Sequence, residues 1–153
     1  NIDKFPVVTD DIVEQVFLAN QHKLDEAGIS LRITGGAPNP VLIDPLRIRQ
    51  IFQNLISNAI RHTPGGGGIE IDSQQDPHGV KITIRDTGTG ISPYFLPHIF
   101  ERFARDELSR NRNTGGSGLG LSIALEIALA HNGNLTAGNH PDGGALFTLN
   151  LPT

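Results

Sequence analysis

The sequence predicts a two-layer α+β sandwich, a mixed but mostly antiparallel sheet with about three helices on one face. Three observations carry this. Two pairs of alternating apolar and polar segments, 68–75 with 79–86 and 134–139 with 145–152, are each joined by a turn and read as hairpins. Three longer stretches, 10–27, 44–64 and 118–133, carry apolar residues at helical spacing. Alternating strands imply a sheet buried on one side, and the helices supply the layer that buries it.

In order along the chain, FPVV (5–8) reads as a short strand leading to Thr9 as N-cap. Ile12, Val13, Val16, Phe17, Ala19 and Leu24 mark the buried stripe of a first helix closed by Gly28. ISLRITG (29–35) alternates as a strand, GAPNP is a turn, and VLID (41–44) is a short strand running into the second helix. That helix has Asp44 as N-cap and Pro45 in its first turn, and it ends at Thr63, Pro64 and four glycines. Asp76-Pro77-His78-Gly79 turns the first hairpin, and residues 87–117 are irregular apart from a helical patch at Tyr94–Phe103. From Gly118 an apolar helix runs to Gly133, and HPDGG turns the last hairpin.

Composition excludes several classes. The 153 residues suit one domain with a sizeable core, and the expected organisation is a single domain over 1–153. The chain is 37% apolar and 18% charged with a net charge of −4 and has no Lys/Arg run, so nucleic acid is not an expected partner. Absence of cysteine excludes a disulfide framework and a Cys-based metal site. No run of 18 apolar residues is present, and the start at NIDKF without methionine reads as that of an excised fragment.

Three stretches carry candidate chemistry. On the second helix, Arg47, Gln50, Asn54, Asn58 and Arg61 form a polar stripe. Asn is a poor helix former, so two of them one turn apart are unusual on an ordinary solvent face. Two amide oxygens beside a guanidinium suit Mg²⁺ on a polyphosphate, because Mg²⁺ takes few ligands from protein and the rest from phosphate and water. A polar face that happens to carry Asn is the plainer alternative. In IRDTGTGI (84–91), Asp86 ends a strand, while Gly88 and Gly90 let backbone approach a flat ligand. A buried carboxylate here would accept from an amine such as adenine's and face an acceptor in guanine. Taken alone, DTGTG is also what a tight turn after a strand looks like. Thr114, Gly116, Ser117, Gly118, Leu119, Gly120 and Leu121 lie in a glycine cluster that opens onto the last helix, where N–H groups and the macrodipole favour an anion. A glycine hinge before a helix would look the same. Neither GxxxxGK[ST] nor GxGxxG occurs, so the Walker and Rossmann patterns are missing.

Together, in order and spacing, the stretches resemble the ATP-binding domain of bacterial sensor histidine kinases, the Bergerat-type nucleotide fold shared with gyrase, heat-shock chaperones and mismatch-repair ATPases. NLISNAIRHTP (54–64) looks like the N box, DTGTGI (86–91) like the first glycine box, IFERFAR (99–105) like the phenylalanine box and GGSGLGLSI (115–123) like the second glycine box. The resemblance covers essentially the whole chain. It implies ATP and Mg²⁺ as ligands, with Asn58 on the metal and Asn54 lining the same site. Arg61 and Arg105 would reach the phosphates, and His62 would lie beside the nucleotide. Asp86 would hold the adenine amine, with Gly88, Gly90 and Ile91 walling the base. Phe100 and Phe103 would anchor a lid over about 104–117, expected to be disordered without nucleotide. Gly116, Gly118 and Gly120 would cradle the phosphates.

Arg61 stands where the family usually has Lys, His62 where it often has Tyr, and Ala104 where an aromatic residue is common. Hydrolytic relatives carry Glu where this chain has Asn54, and an amide cannot act as general base. The six histidines all lack the acidic context of the family's phosphoacceptor helix. The resemblance therefore implies the donor half of a histidine autokinase. The accepting histidine would lie on a dimerisation domain N-terminal to this segment, and a response regulator would take the phosphate onward. The segment would be a monomeric cytoplasmic domain of a homodimeric parent anchored in the bacterial inner membrane. A regulatory module that binds nucleotide without transferring phosphate, an anti-sigma-type serine kinase and a hydrolytic ATPase are the alternatives on the same fold.

Overall fold

A computed structural model describes residues 1–104 and 119–153. The main sheet has five strands, β2 (Ser30–Gly35), β4 (Gly68–Asp76), β5 (Gly79–Asp86), β6 (Asn134–Asn139) and β7 (Ala145–Pro152), in spatial order β2-β4-β5-β7-β6. Only β2 and β4 run parallel. Register puts Ile71 opposite Ile84, Ile84 opposite Phe147, and Ile82 and Leu135 opposite Leu149. All six are buried on one face. The other face carries Lys81, Thr83, Arg85, Thr136, Thr148 and Asn150, of which none is buried. This alternation allows helices on one side only, and the three helices α1 (Thr9–Ala27), α2 (Pro45–His62) and α3 (Gly120–Ala130) cover it, α2 packing between the other two. The expected α+β sandwich is what forms. Among the described residues no helix is long and apolar enough to cross a membrane.

A separate two-stranded sheet, β1 (Phe5–Val7) with β3 (Val41–Ile43), delivers the chain to α2. Asp44 caps that helix: Oδ1 accepts from the N–H groups of Leu46 (3.1 Å) and Arg47 (3.3 Å), and Oδ2 accepts from Asp3 N–H (3.0 Å). These bonds satisfy donors that the first turn leaves open. The Asp3 bond is the largest influence holding the Asp44 carboxyl below its ordinary value of 3.8; burial opposes it, and the Arg47 and Leu46 N–H groups and the Arg47 charge add to it. Pro45 occupies the first turn, where its missing N–H costs nothing. Ile48, Ile51, Phe52, Leu55, Ile56 and Ala59 are buried and Ile60 partly so.

Four local expectations need correction. Thr9 is not the cap of α1. Val8 holds the extended cap position and offers no side-chain oxygen, while Thr9 is buried in the first turn. In the first helix Ala19 faces solvent and Asn20 is buried instead, because Asn20 has a partner on α2: it exchanges two hydrogen bonds with Gln53 (2.8 and 3.0 Å). The patch at Tyr94–Phe103 forms only a 3-10 turn, Leu96–His98, continued by i to i+3 hydrogen bonds. Pro97 lacks the N–H that would close the first α-helical turn onto the Pro93 carbonyl, and it biases Leu96 away from the α region. At the end of α3 the left-handed residue is Asn132 (φ 59°), with Gly133 kept small by the Asn150 carbonyl, 2.1 Å from where its Cβ would lie.

Candidate nucleotide site

Three elements converge at one end of the molecule: the face of α2 bearing Asn54 and Asn58, the loop after β5, and the start of α3. Asn54 is half-buried, and its Nδ2 donates to the Gly120 carbonyl (2.9 Å), joining α2 to the first residue of α3. Asn58, one turn on, is 7% exposed, and its Oδ1 accepts from Arg61 Nη2 at 3.2 Å. Arg61 and His62 lie exposed at the C-terminal end of α2. Leu121 is half-buried against the core, and Ser122 Oγ donates to the Leu119 carbonyl (2.8 Å), turning the chain into α3. The first-turn N–H groups have no partner within the helix itself, and with the macrodipole behind them this helix start favours a negative charge.

Asp86 ends β5 and is 2% exposed. Its Oδ1 accepts from Gly88 N–H (2.9 Å) and Ala145 N–H (3.2 Å). No hydrogen bond from a described residue reaches Oδ2. The packing around it requires two glycines. A Cβ on Gly88 would lie 2.1 Å from the His62 carbonyl oxygen, and one on Gly144 (φ 85°) would lie 1.8 Å from the Asp86 carbonyl oxygen. The carboxylate is therefore wedged between the end of α2 and the β6–β7 turn, with one oxygen engaged and the other available. Beyond it, Gly90 (φ 82°) and half-buried Ile91 continue the loop. Phe100 meets Phe147 edge-on at 6.3 Å, fastening the irregular stretch after β5 to the core. Phe103 does not join it: it is 64% exposed.

Of the residues expected at the site, Asn54, Asn58, Arg61, His62, Asp86, Gly88, Gly90, Ile91, Leu119, Gly120 and Leu121 stand on these three elements. Arg105, Thr114, Gly116, Ser117 and Gly118, with nearly all of the expected lid, lie outside the described residues.

Sequence reading missed four contributors. Asn139 bonds both polar groups of Ile91, Ala145 donates to Asp86, and Arg85 Nη2 donates to the Gly143 carbonyl (3.2 Å). Buried His131 accepts from Asp44 N–H at Nε2 (3.0 Å) and meets the Ile127 carbonyl at Nδ1 (2.9 Å), so that it links α3 to the cap of α2. Apart from Ile127, four residues from His131, these partners stand 48 to 87 residues apart. The only local signal was the NHPDGG turn itself, whose packing against Asp86 no spacing rule reveals.

Similarity to known proteins extends over most of the chain. The profile of the family described as histidine kinase-, DNA gyrase B-, and HSP90-like ATPase matches residues 43–153. The signal transduction histidine-protein kinase BaeS of Escherichia coli (strain K12) is 39% identical over 149 residues, covering 97% of this chain and 32% of BaeS. The chain thus spans about a third of the length of that curated relative. Among solved structures, the nucleotide-free catalytic domain of histidine kinase ThkA superposes with a TM-score of 0.87 at 25% identity, over 99% of this chain and 98% of that one. Full-length ShkA in complex with AMPPNP superposes with a TM-score of 0.85 at 30% identity, over 99% of this chain and 31% of that one.

Proposed function

Because the chain belongs to the histidine kinase-, DNA gyrase B-, and HSP90-like ATPase family, we propose that it is the catalytic ATP-binding domain of a two-component sensor histidine kinase. It binds Mg·ATP and presents the γ-phosphate to a histidine on a separate dimerisation domain of the same protein. Residues 1–153 act as one catalytic unit, and a response regulator receives the phosphate afterwards.

The observation that carries the reading is the state of Asp86. One buried carboxylate oxygen is held by two backbone N–H groups while the other accepts nothing from the described residues. A fixed acceptor of this kind selects a donor, and adenine's exocyclic amine is one, whereas guanine offers a carbonyl at that position. Ile91 and the glycines beside it wall the base. The polyphosphate would extend past Asn54, toward Arg61 and Gly120 at the start of α3, and the family resemblance assigns Arg105, Gly116 and Gly118 to it as well. A neutral amide oxygen suits Mg²⁺ where phosphate and water supply most ligands, and Asn58, with Asn54 beside it, would hold the ion. Bound there, Mg²⁺ supplies charge neutralisation on the phosphates. No group of three or more His, Cys, Asp or Glu among the described residues offers a competing all-protein metal site.

Phosphoryl transfer is mainly positioning and charge stabilisation. The acceptor imidazole nitrogen bonds the γ-phosphorus, the bond to the β–γ bridging oxygen breaks, ADP leaves, and the ring proton passes to the acceptor's acidic neighbour. Asn54 cannot activate water, so hydrolysis stays slow.

Calorimetric titration of Mg·ATP and Mg·GTP into the wild type and Asp86→Asn tests this. ATP should bind, with GTP at least about 10-fold weaker. The Asn variant keeps an acceptor for Gly88 and Ala145 but turns a donor toward the base, a loss of about 5- to 150-fold for ~1–3 kcal/mol. No ATP binding by the wild type with excess Mg²⁺, or equal affinity for GTP, would refute the reading.

A further inference from the structure

We propose that Asn139 is a positioning residue for the nucleotide base, acting through Ile91. The proposal rests on the nucleotide-binding reading above. Asn139 ends β6, and its side-chain amide makes two hydrogen bonds to one residue of another loop. Oδ1 accepts from Ile91 N–H (2.7 Å) and Nδ2 donates to the Ile91 carbonyl (2.8 Å). The amide thereby imitates a neighbouring strand and fixes the peptide groups on both sides of Ile91.

Two further observations make this more than an incidental contact. Among the described residues, these are the only hydrogen bonds that residues 89–91 make, so this part of the wall, past Gly88, has a single polar fastening. Gly90, at φ 82°, brings its backbone so close that a Cβ would lie 2.7 Å from Asn139 Oδ1. Clamp and glycine are fitted to one another.

The same turn also holds Asp86. His140 N–H bonds the Gly144 carbonyl (2.9 Å), Gly143 N–H bonds the His140 carbonyl (2.9 Å), and Ala145 N–H reaches Asp86 Oδ1. The β6–β7 connection thus sets the separation between the acceptor for the base and the wall against which the base lies. Asn alone supplies both halves of the clamp at this length. Asp would accept from Ile91 N–H but turn a second oxygen toward the Ile91 carbonyl.

The test combines ligand binding with amide hydrogen exchange on the intact chain. Asn139→Ala should weaken ADP and ATP by the same factor, about 3- to 10-fold for two exposed hydrogen bonds. It should also speed exchange at the Ile91 amide while leaving the Ile82 and Leu149 amides unchanged, which general destabilisation would not do. Asn139→Asp should lose at least as much as Asn139→Ala despite its similar shape. Affinities within twofold of wild type in Asn139→Ala, with Asp86→Asn impaired, would overturn the inference, as would unchanged exchange at Ile91. If the wild type bound no ADP, the nucleotide reading itself would fail, whereas the exchange measurement reads the clamp with no ligand present.

Discussion

Truncating Asp44 to Ala should lower stability by about 2 kcal/mol, and the structure shows where this comes from. The side chain accepts from Leu46 and Arg47 at the start of α2 and from Asp3 ahead of the small sheet. Loss of an N-cap acceptor costs ~1 kcal/mol, and loss of the acceptor for a partly buried N–H costs about as much again. For a chain of this size, ~2 kcal/mol corresponds to a fall of about 4–8 °C in Tm. Asp44→Asn keeps one acceptor oxygen and should lose about half of that. The pH dependence has a definite sign. The folded carboxyl is held below its ordinary value of 3.8. Its ionised form therefore stabilises the fold fully above that value and stops doing so as pH falls through the lower, folded one. Thermal unfolding of wild type and Asp44→Ala from pH 7 to pH 3 should give a constant gap down to about pH 5 that narrows below 3.8. A gap under 1 °C at pH 7, or one that widens in acid, would refute the assignment of these hydrogen bonds.

Other substitutions probe other joints. Gly144→Ala places a methyl group on the Asp86 carbonyl oxygen at a left-handed backbone position. It should cost at least ~2 kcal/mol and weaken ADP binding as Asp86 shifts, both measurable by thermal shift with and without ADP. His131→Phe leaves Asp44 N–H without its acceptor at a buried site and should lower the urea midpoint by an amount equivalent to ~1–3 kcal/mol. His131→Gln, which can still accept there, should recover part of it. Asn58→Ala should reduce affinity for Mg·ATP while leaving magnesium-free ADP within about twofold, read by calorimetry with and without a chelator; equal losses in both would assign Asn58 to packing rather than to the metal.

The elements legible in the sequence were those specified by neighbours. In α2 the capping carboxylate, the proline and both stripes lie within one continuous stretch of chain, and the structure reproduces each. The hairpins follow from alternation and their turns. Reading failed where a distant partner decided the outcome. Asn20 carries no apolar signal and is buried because Gln53 on another helix meets it. Val8 rather than Thr9 precedes the first helical turn, because the extended chain of β1 continues through it. The apolar look of 94–103 outweighed Pro97, which cannot make the first α-helical bond back to residue 93. For the site, the residues that would touch ligand stood out by type and spacing. Those that hold them in place, Asn139, Ala145 and His131, did not, since nothing near them in sequence marks their targets.

The bond from Asn54 to Gly120 has a consequence for how the chain folds. Its two ends are 66 residues apart, with β4 and β5 between them, and the contacts Asp86–Ala145 and Ile91–Asn139 close loops of 59 and 48. Such contacts form only after the loop-closure entropy between them has been met. The pocket is therefore complete only when both helices and the outer hairpin have docked on the sheet. A partly folded chain with α2 alone, however well formed, would have Asn54 and Asn58 but nothing opposite them. Ligand should thus slow unfolding far more than it speeds folding, and recovery of nucleotide affinity should trail recovery of helical signal during refolding.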